Sequence, residues 1–330
     1  MEMRSFFLLN IENFIQNATE GEFFLHLAEK EIRHLDTEQR NPDTVNLDRC
    51  TTLELLRLMN AEDRRVPEAV AEALPVVAEA VERIAAALRA GGRLFYVGAG
   101  TSGRLGMLDA YECPPTFGTP PELVQALVAG GVARDRADES AEDDPAQGAA
   151  ELRQRGLSAA DVVVGIAASG RTPYVLGALQ YARSVGAATI ALACTRGSAI
   201  GEAADLAIEV VVGPEVLAGS TRLKAGTAQK LVLNMISTGV MVRLGKTYRN
   251  LMVDMQPSNS KLRERALSIV RMATGADDEA VARAMEATGN HMKASIVMLL
   301  ADVDADEAFR LLERAGGVVR EALALAGLDA

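Results

Sequence analysis

Cysteine and histidine are scarce in this chain of 330 residues. The three cysteines, Cys50, Cys113 and Cys194, lie far apart and form no CxxC pair. An odd, scattered set writes no disulfide framework, and a reducing compartment fits it. His26, His34 and His291 do not cluster with the cysteines, so no zinc site is spelled out and no metal is expected. Long apolar runs are missing too. Phe6-Phe7-Leu8-Leu9 is far too short for a membrane span or a signal core, and acidic residues follow it. The expectation is a cytoplasmic protein with no membrane partner. Basic excess is the third absence: 34 Lys and Arg face 45 Asp and Glu, a net charge of -11. Nucleic-acid binders carry basic faces, so no nucleic-acid partner is expected. A local site for an anionic small molecule remains open. No internal repeat or low-complexity tract occurs beyond a bias toward alanine.

What is present is ordinary globular composition, 49% hydrophobic and 24% charged, enough for a substantial core. The length suits one large domain or two. Thr51–Asp63 and Val66–Arg89 read as helices, the second with Pro67 near its start, where proline is tolerated. From Arg93 the pattern becomes strand, loop, helix. Apolar runs at Leu94–Val97, Leu123–Ala129, Val162–Ala167, Thr189–Cys194 and Leu206–Val212 alternate with helical segments. That argues an α/β fold with a doubly wound, mainly parallel five-stranded sheet buried on both faces. Thr227–Leu244 reads as a long, buried helix. Residues 260–330 show no strand-like run and read as a small helical bundle: Lys261–Met272, Asp277–Ala287, Asn290–Leu300 and Asp304–Leu325, the last interrupted at Gly316-Gly317. The expected organisation is a helical extension at 1–36, helical around Gly21–Leu35, and N-terminal helices at 37–92. A sheet domain at 93–258, its long helix included, and the bundle at 259–330 follow.

Three loops carry the chemistry. The first, Gly98-Ala99-Gly100-Thr101-Ser102-Gly103, follows the first strand directly. Glycines let the backbone approach a ligand, and hydroxyls at a helix start suit an anion. It matches GxGxxG, a weak match alone. A dinucleotide site needs an acid at the end of the next strand, and that strand ends in Gly130-Gly131 instead. Pro114-Pro115 is expected to cut the following helix short. The second loop, Ala168-Ser169-Gly170-Arg171-Thr172-Pro173, repeats the design after another strand. Two such loops converge at the carboxyl ends of parallel strands. The third, Gly219–Gly226, places Ser220, Thr221, Arg222 and Lys224 at the start of the long helix, where they complete an anion pocket or form a basic surface loop. Tight turns with helix caps are the plain alternative for the first two. Gly245-Lys246-Thr247 is not a P-loop, because Val240 stands where its first glycine belongs and no strand precedes it.

Together these loops resemble the sugar isomerase (SIS) domain, which binds phosphosugars. The match narrows over Thr37–Pro42, Glu62-Asp63, Val97–Leu105, Leu108-Asp109-Ala110, Glu112–Pro115, Glu139–Asp143, Val162–Tyr174, Ala218–Asn234 and Asn250–Asp254. These segments resemble the N-acetylmuramic acid 6-phosphate etherase family, from about Thr37 to the C-terminus. The resemblance is specific, because GAGTSGRLG, ECPP and GIAASGRTPYV occur together in that order. It implies that Gly100, Thr101, Ser102, Ser169, Gly170, Arg171, Thr172, Ser220, Thr221 and Lys224 hold the phosphosugar. Ala167 stands where the wider family often has a further serine, which leaves that share to backbone amides.

The resemblance further implies cleavage of the lactyl ether of N-acetylmuramate 6-phosphate, with no cofactor, by a homodimer. Its two catalytic acids match Glu112 and Glu142. The chemistry wants such a pair: one carboxylate takes a proton from the sugar's second carbon, and one carboxylic acid protonates the departing lactate. Glu112, beside the apolar Tyr-Cys-Pro-Pro segment, suits the acid. Glu142 is assigned the base; its acidic neighbours raise a carboxyl's pKa as well. Without the resemblance, Glu142 reads as part of a solvated acidic run and Glu112 as a surface carboxylate at a helix end. A non-catalytic sugar-phosphate sensor and an aldose–ketose isomerase are the alternatives on the same fold. A sensor has no need of both acids, and an isomerase releases no lactate.

Overall fold

The computed structural model describes residues 35–131, 139–255 and 260–328. The helix expected around Gly21–Leu35 falls on residues outside that range, apart from Leu35. The five apolar runs form β1 (Leu94–Gly98), β2 (Val124–Val128), β3 (Val162–Ile166), β4 (Ala188–Ala193) and β5 (Leu206–Glu209). They make one sheet in the order β2-β1-β3-β4-β5. β3 pairs parallel with β4, Val162 opposite Ala188, and β4 with β5, Ile190 opposite Leu206. Every residue of β1 and β3 is buried, as a parallel sheet covered on both faces requires. β5 stops at Glu209, short of the expected Val212. The Glu209 carboxylate accepts from the amides of Gly197 and Ser198 and from the Ser198 hydroxyl, which fixes the turn after β4.

The helices follow from local chemistry. α1 (Thr52–Asp63) opens with a capping box, Thr51 and Glu54 each satisfying the other's backbone. α2 (Arg65–Arg89) carries Pro67 in its first turn. α3 (Gly100–Phe117) corrects one expectation: it runs through Pro114 and Pro115. Both prolines fall in its last turns, so only the two amide bonds toward Ala110 and Tyr111 are forfeited. The helix ends instead at Gly118, whose φ is 61° and whose amide donates to the Pro114 carbonyl at 2.9 Å. α4 (Pro145–Gln154), α5 (Pro173–Val185) and α6 (Ala199–Ala203) lie between the later strands. α7 (Lys224–Arg243) begins three residues before the expected Thr227.

Two further elements were not expected. β6 (Thr247–Tyr248) and β7 (Leu251–Met252) form a small antiparallel hairpin, with Arg249 at a φ of 54° in its turn. Two residues per strand are too few for a readable alternation. Beyond it come α8 (Ser260–Thr274), α9 (Asp278–Ala287), α10 (Met292–Ala301), α11 (Ala305–Arg314) and α12 (Val319–Leu325). The break between the last two is the expected one at Gly316-Gly317.

Packing divides the chain into two compact units. Among the described residues, the first comprises 35–76, Phe95–Gly106, 126–131 and 139–232, and the second Val77–Leu94, Met107–Gln125, 233–255 and 260–328. The core of the first includes Phe95, Val97, Leu152, Val163, Val175 and Leu179, all buried. Truncating one of these large side chains to alanine costs about 2–5 kcal/mol. The second has its own core, with Ile296, Val297, Leu311 and Val319 among its members. There Lys293 and Lys246 both bind Asp254, at 2.6 and 3.1 Å.

Candidate functional site

The order β2-β1-β3 reverses the direction of winding at β1. Open α/β sheets bind ligands at such a point, outside the carboxyl ends of the strands. β1 and β3 end side by side here: a Cβ on Gly98 would stand 3.1 Å from the Ile166 carbonyl. The first and second hydroxyl loops leave from these two ends.

In the first loop, Gly98 and Gly103 press together. A Cβ on Gly103 would lie 2.5 Å from the Gly98 oxygen, so neither tolerates a side chain without movement. That closeness turns Thr101 and Ser102 into the first turn of α3. Thr101 is half-buried and Ser102 buried. The Ser102 hydroxyl donates to Oε1 of Gln229 on α7 at 2.9 Å.

In the second loop, Gly170 has a φ of 70° and lies against Ser198 and Thr195, where no Cβ fits. The amide of Ala167 donates to the Leu192 carbonyl, and that of Gly170 to Ala167. Those two amides are therefore occupied by the fold, and the share expected of backbone amides near Ala167 cannot come from them. The Thr172 hydroxyl donates to Oε1 of Glu142 at 3.3 Å. Glu142 sits half-buried in a 3-10 turn, Glu139–Asp143, pinned by Ala141 in the core. Asp144 caps α4. The acidic run is thus a structured turn over described residues, although Asp138 falls outside them.

The third loop meets the first. A Cβ on Gly226 would touch Thr101 Cγ2 at 3.6 Å and the Thr221 carbonyl at 3.5 Å. Ser220 and Thr221 are half-buried and Arg222 exposed. Lys224 is different. Its side chain is 0% exposed and its Nζ donates to Glu62 Oε2 at 2.5 Å. Glu62 also accepts from Asn41 at 2.9 Å and faces Arg65 at 3.0 Å. The amides of Lys224 and Ala225, at the start of α7, both donate to the Glu215 carboxylate at 3.0 Å. Burial raises the Glu215 pKa above its ordinary value, against the opposing pull of those amides and of Lys224. A cavity of ≈ 410 Å³ opens beside this loop, lined by Arg40, Thr44, Leu55, Val216 and Ala218 among others; none of Ser102, Ser169 and Glu142 lines it.

Glu112 lies on α3, exposed, beside Leu108 and Tyr111, which are 51% and 64% exposed. The thiol of Cys113 is pushed up to about 12, first by burial and then by the charges of Asp109 and Glu112, so it is no nucleophile near neutral pH. Glu112 follows Ser102 by ten residues in α3. Arg171 is half-buried and held by an interaction of its own. Among the described residues no cluster of three or more His, Cys, Asp or Glu could hold a metal ion.

The chain is 58% identical over 290 residues to an N-acetylmuramic acid 6-phosphate etherase of Pectobacterium atrosepticum, covering 88% of this chain and 96% of that one. It is 56% identical over 297 residues to the etherase of the same name from Streptomyces coelicolor, covering 90% and 96%. The chain belongs to the N-acetylmuramic acid 6-phosphate etherase family. Residues 146–238 match the SIS domain model, and residues 76–183 match that of the glucokinase regulatory protein N-terminal SIS domain. Among solved structures, phosphoheptose isomerase GmhA from Neisseria gonorrhoeae is 20% identical, with a TM-score of 0.46, over 58% of this chain and 98% of that one. No helix among the described residues is long and apolar enough to cross a membrane.

Sequence reasoning missed four of the side chains around these loops. Gln229 is hidden in an apolar helix, and its only signal is a lone amide facing the hydroxyl of the first loop. Glu62 stood only among the segments that carry the resemblance, and Glu215 was not singled out; both are buried. Glu38 sits in the turn Asp36–Glu38, with its carboxylate 3.4 Å from where a Cβ on Gly219 would be.

Proposed function

We propose that this chain cleaves the D-lactyl ether of N-acetylmuramic acid 6-phosphate, giving N-acetylglucosamine 6-phosphate and D-lactate, in the cytoplasm and as a homodimer. The observation that carries this reading is Glu142 held by Thr172 in the second loop, at the point where the sheet's winding reverses. A carboxylate is thereby set beside hydroxyls suited to a phosphate. Gly100, Thr101 and Ser102 hold one side of the phosphate, and Ser169, Gly170, Arg171 and Thr172 the other. Ser220 and Thr221 close the third. Lys224 serves this site from behind, by fastening the third loop to Glu62.

Opening of the sugar ring makes its first carbon an aldehyde and acidifies the proton on the second. Glu142 removes that proton. The electron pair forms a double bond between the second and third carbons, and the bond from the third carbon to the ether oxygen breaks. Glu112, as a carboxylic acid, protonates the leaving lactate. Water then adds its hydroxyl to the third carbon and a proton to the second. Each positioned carboxyl contributes about 10²–10⁴-fold.

The acid comes from a second copy: Glu112 is exposed, and the exposed Leu108 and Tyr111 beside it form part of the face that this copy covers. Mixing Glu112→Gln with Glu142→Gln protein tests this: subunit exchange should restore about a quarter of wild-type lactate release, from the one intact site in each mixed dimer. Two inactive variants that stay inactive after verified exchange would place both acids in one chain. Separately, Glu112→Gln should still exchange deuterium into the second carbon while releasing no lactate. The opposite pattern, exchange kept by Glu142→Gln alone, reverses the two roles.

A further inference from the structure

We propose that Gln229 is a positioning residue that sets the direction of the Ser102 hydroxyl proton, and through it the affinity for the phosphate of the sugar. The inference rests on Ser102 being a phosphate ligand, as argued above. Gln229 is 1% exposed and Ser102 8%. The hydroxyl donates to Gln229 Oε1, and the amide nitrogen of the same side chain is buried with no partner among the described residues. Buried polar atoms are nearly always paired, so an orphaned N–H at a ligand loop needs a reason.

A serine hydroxyl has one proton, and phosphate oxygens only accept. While Ser102 spends its proton on Gln229, it offers phosphate a lone pair and has the wrong polarity. A half-turn of the amide about its last torsion exchanges the two ends. Nε2 then donates to Ser102 Oγ, and the hydroxyl proton is free for a phosphate oxygen. The turn leaves Oε1 where the orphaned nitrogen stood, so in the free chain the two orientations are closely matched. An arriving phosphate selects the second, because it alone presents a donor. An amide can supply both polarities in one volume, which neither a carboxylate nor a thioether can do.

The test uses the full-length protein and two readouts: calorimetric binding of N-acetylglucosamine 6-phosphate, with N-acetylglucosamine as control, and steady-state lactate release. Measured at a pH high enough to keep the new carboxyl ionised, Gln229→Glu can only accept and so locks the proton inward. It should weaken phosphosugar binding by about 10- to 100-fold, with the loss falling on KM much more than on kcat. In a Ser102→Ala background the same change should cost no more than about threefold. An equal loss in both backgrounds would reduce the effect to charge repulsion and overturn the proposal. Should Gln229→Glu fail to fold, Gln229→Met replaces it. Its loss should stay clearly below the roughly tenfold loss of Ser102→Ala, because the hydroxyl proton is no longer held; a loss as large as that of Ser102→Ala overturns the proposal. Wild-type protein that binds the phosphosugar but frees no lactate would sink the etherase reading and leave this test intact. Wild-type protein that binds no phosphosugar would sink both.

Discussion

The starts of α3 and α7 are written alike, as glycine, serine and threonine before a helix, and they are built for different work. At α3, Ser102 lies in the first turn after β1, and its side chain is tied to Gln229. At α7, the first amides are consumed by Glu215 and the lysine by Glu62, both from the same chain. A hydroxyl-rich helix start is thus an anion site only when the fold has not already supplied the anion. On the reading proposed above, the α3 end is left for a ligand; the α7 end is a strut that holds its loop in place.

That contrast predicts two kinds of failure. At the ligand end, activity should go and stability should stay. Glu142→Gln should lower kcat for lactate release by about 10²–10⁴-fold, with an unchanged thermal midpoint. A variant that instead unfolds would make Glu142 part of the frame. At the strut, stability should go first. Lys224→Met leaves Glu62 buried without its main partner and should cost about 3–5 kcal/mol in denaturant unfolding. Its residual folded fraction should keep much of the kcat. A drop in kcat with normal stability would return Lys224 to the phosphate itself.

Smaller effects refine the comparison. Ser220→Ala should raise KM by less than about tenfold, since one neutral hydroxyl bond is at stake. A larger rise would make the third loop the main grip. Glu215 yields a pH test. Its folded pKa is raised above the ordinary 4.5, so its contribution is full below that value and is lost as pH climbs through the raised one. The wild-type advantage in thermal midpoint over Glu215→Gln should shrink as pH rises from 4.5 toward neutrality. An advantage that grows over that window contradicts the burial argument. Thiols give the mildest probe. Cys113 and Cys194 are buried, each pushed up to about 12, whereas Cys50 is half-buried. Only Cys50 should react with a disulfide reagent in the native protein.

The sheet was legible because continuous apolar runs separated by helices admit little else. The two loops at its switch point were legible for the same reason, being fixed by the strands that end in them. α3 was misjudged because a proline rule counts lost amides and not where in the helix they fall. Glu215, Glu62 and Gln229 were illegible because their meaning is a partner far away in sequence. The same applies to Lys224, whose charge is spent on Glu62. The β6–β7 hairpin left too little sequence to show a period.

The account stands or falls on where labelled solvent ends up when N-acetylmuramic acid 6-phosphate is turned over in heavy water carrying oxygen-18. Elimination followed by hydration places one deuteron on the second carbon of the sugar and the heavy oxygen on its third carbon, and leaves lactate free of oxygen-18. Heavy oxygen in the lactate, or turnover with no deuterium on the second carbon, would contradict it.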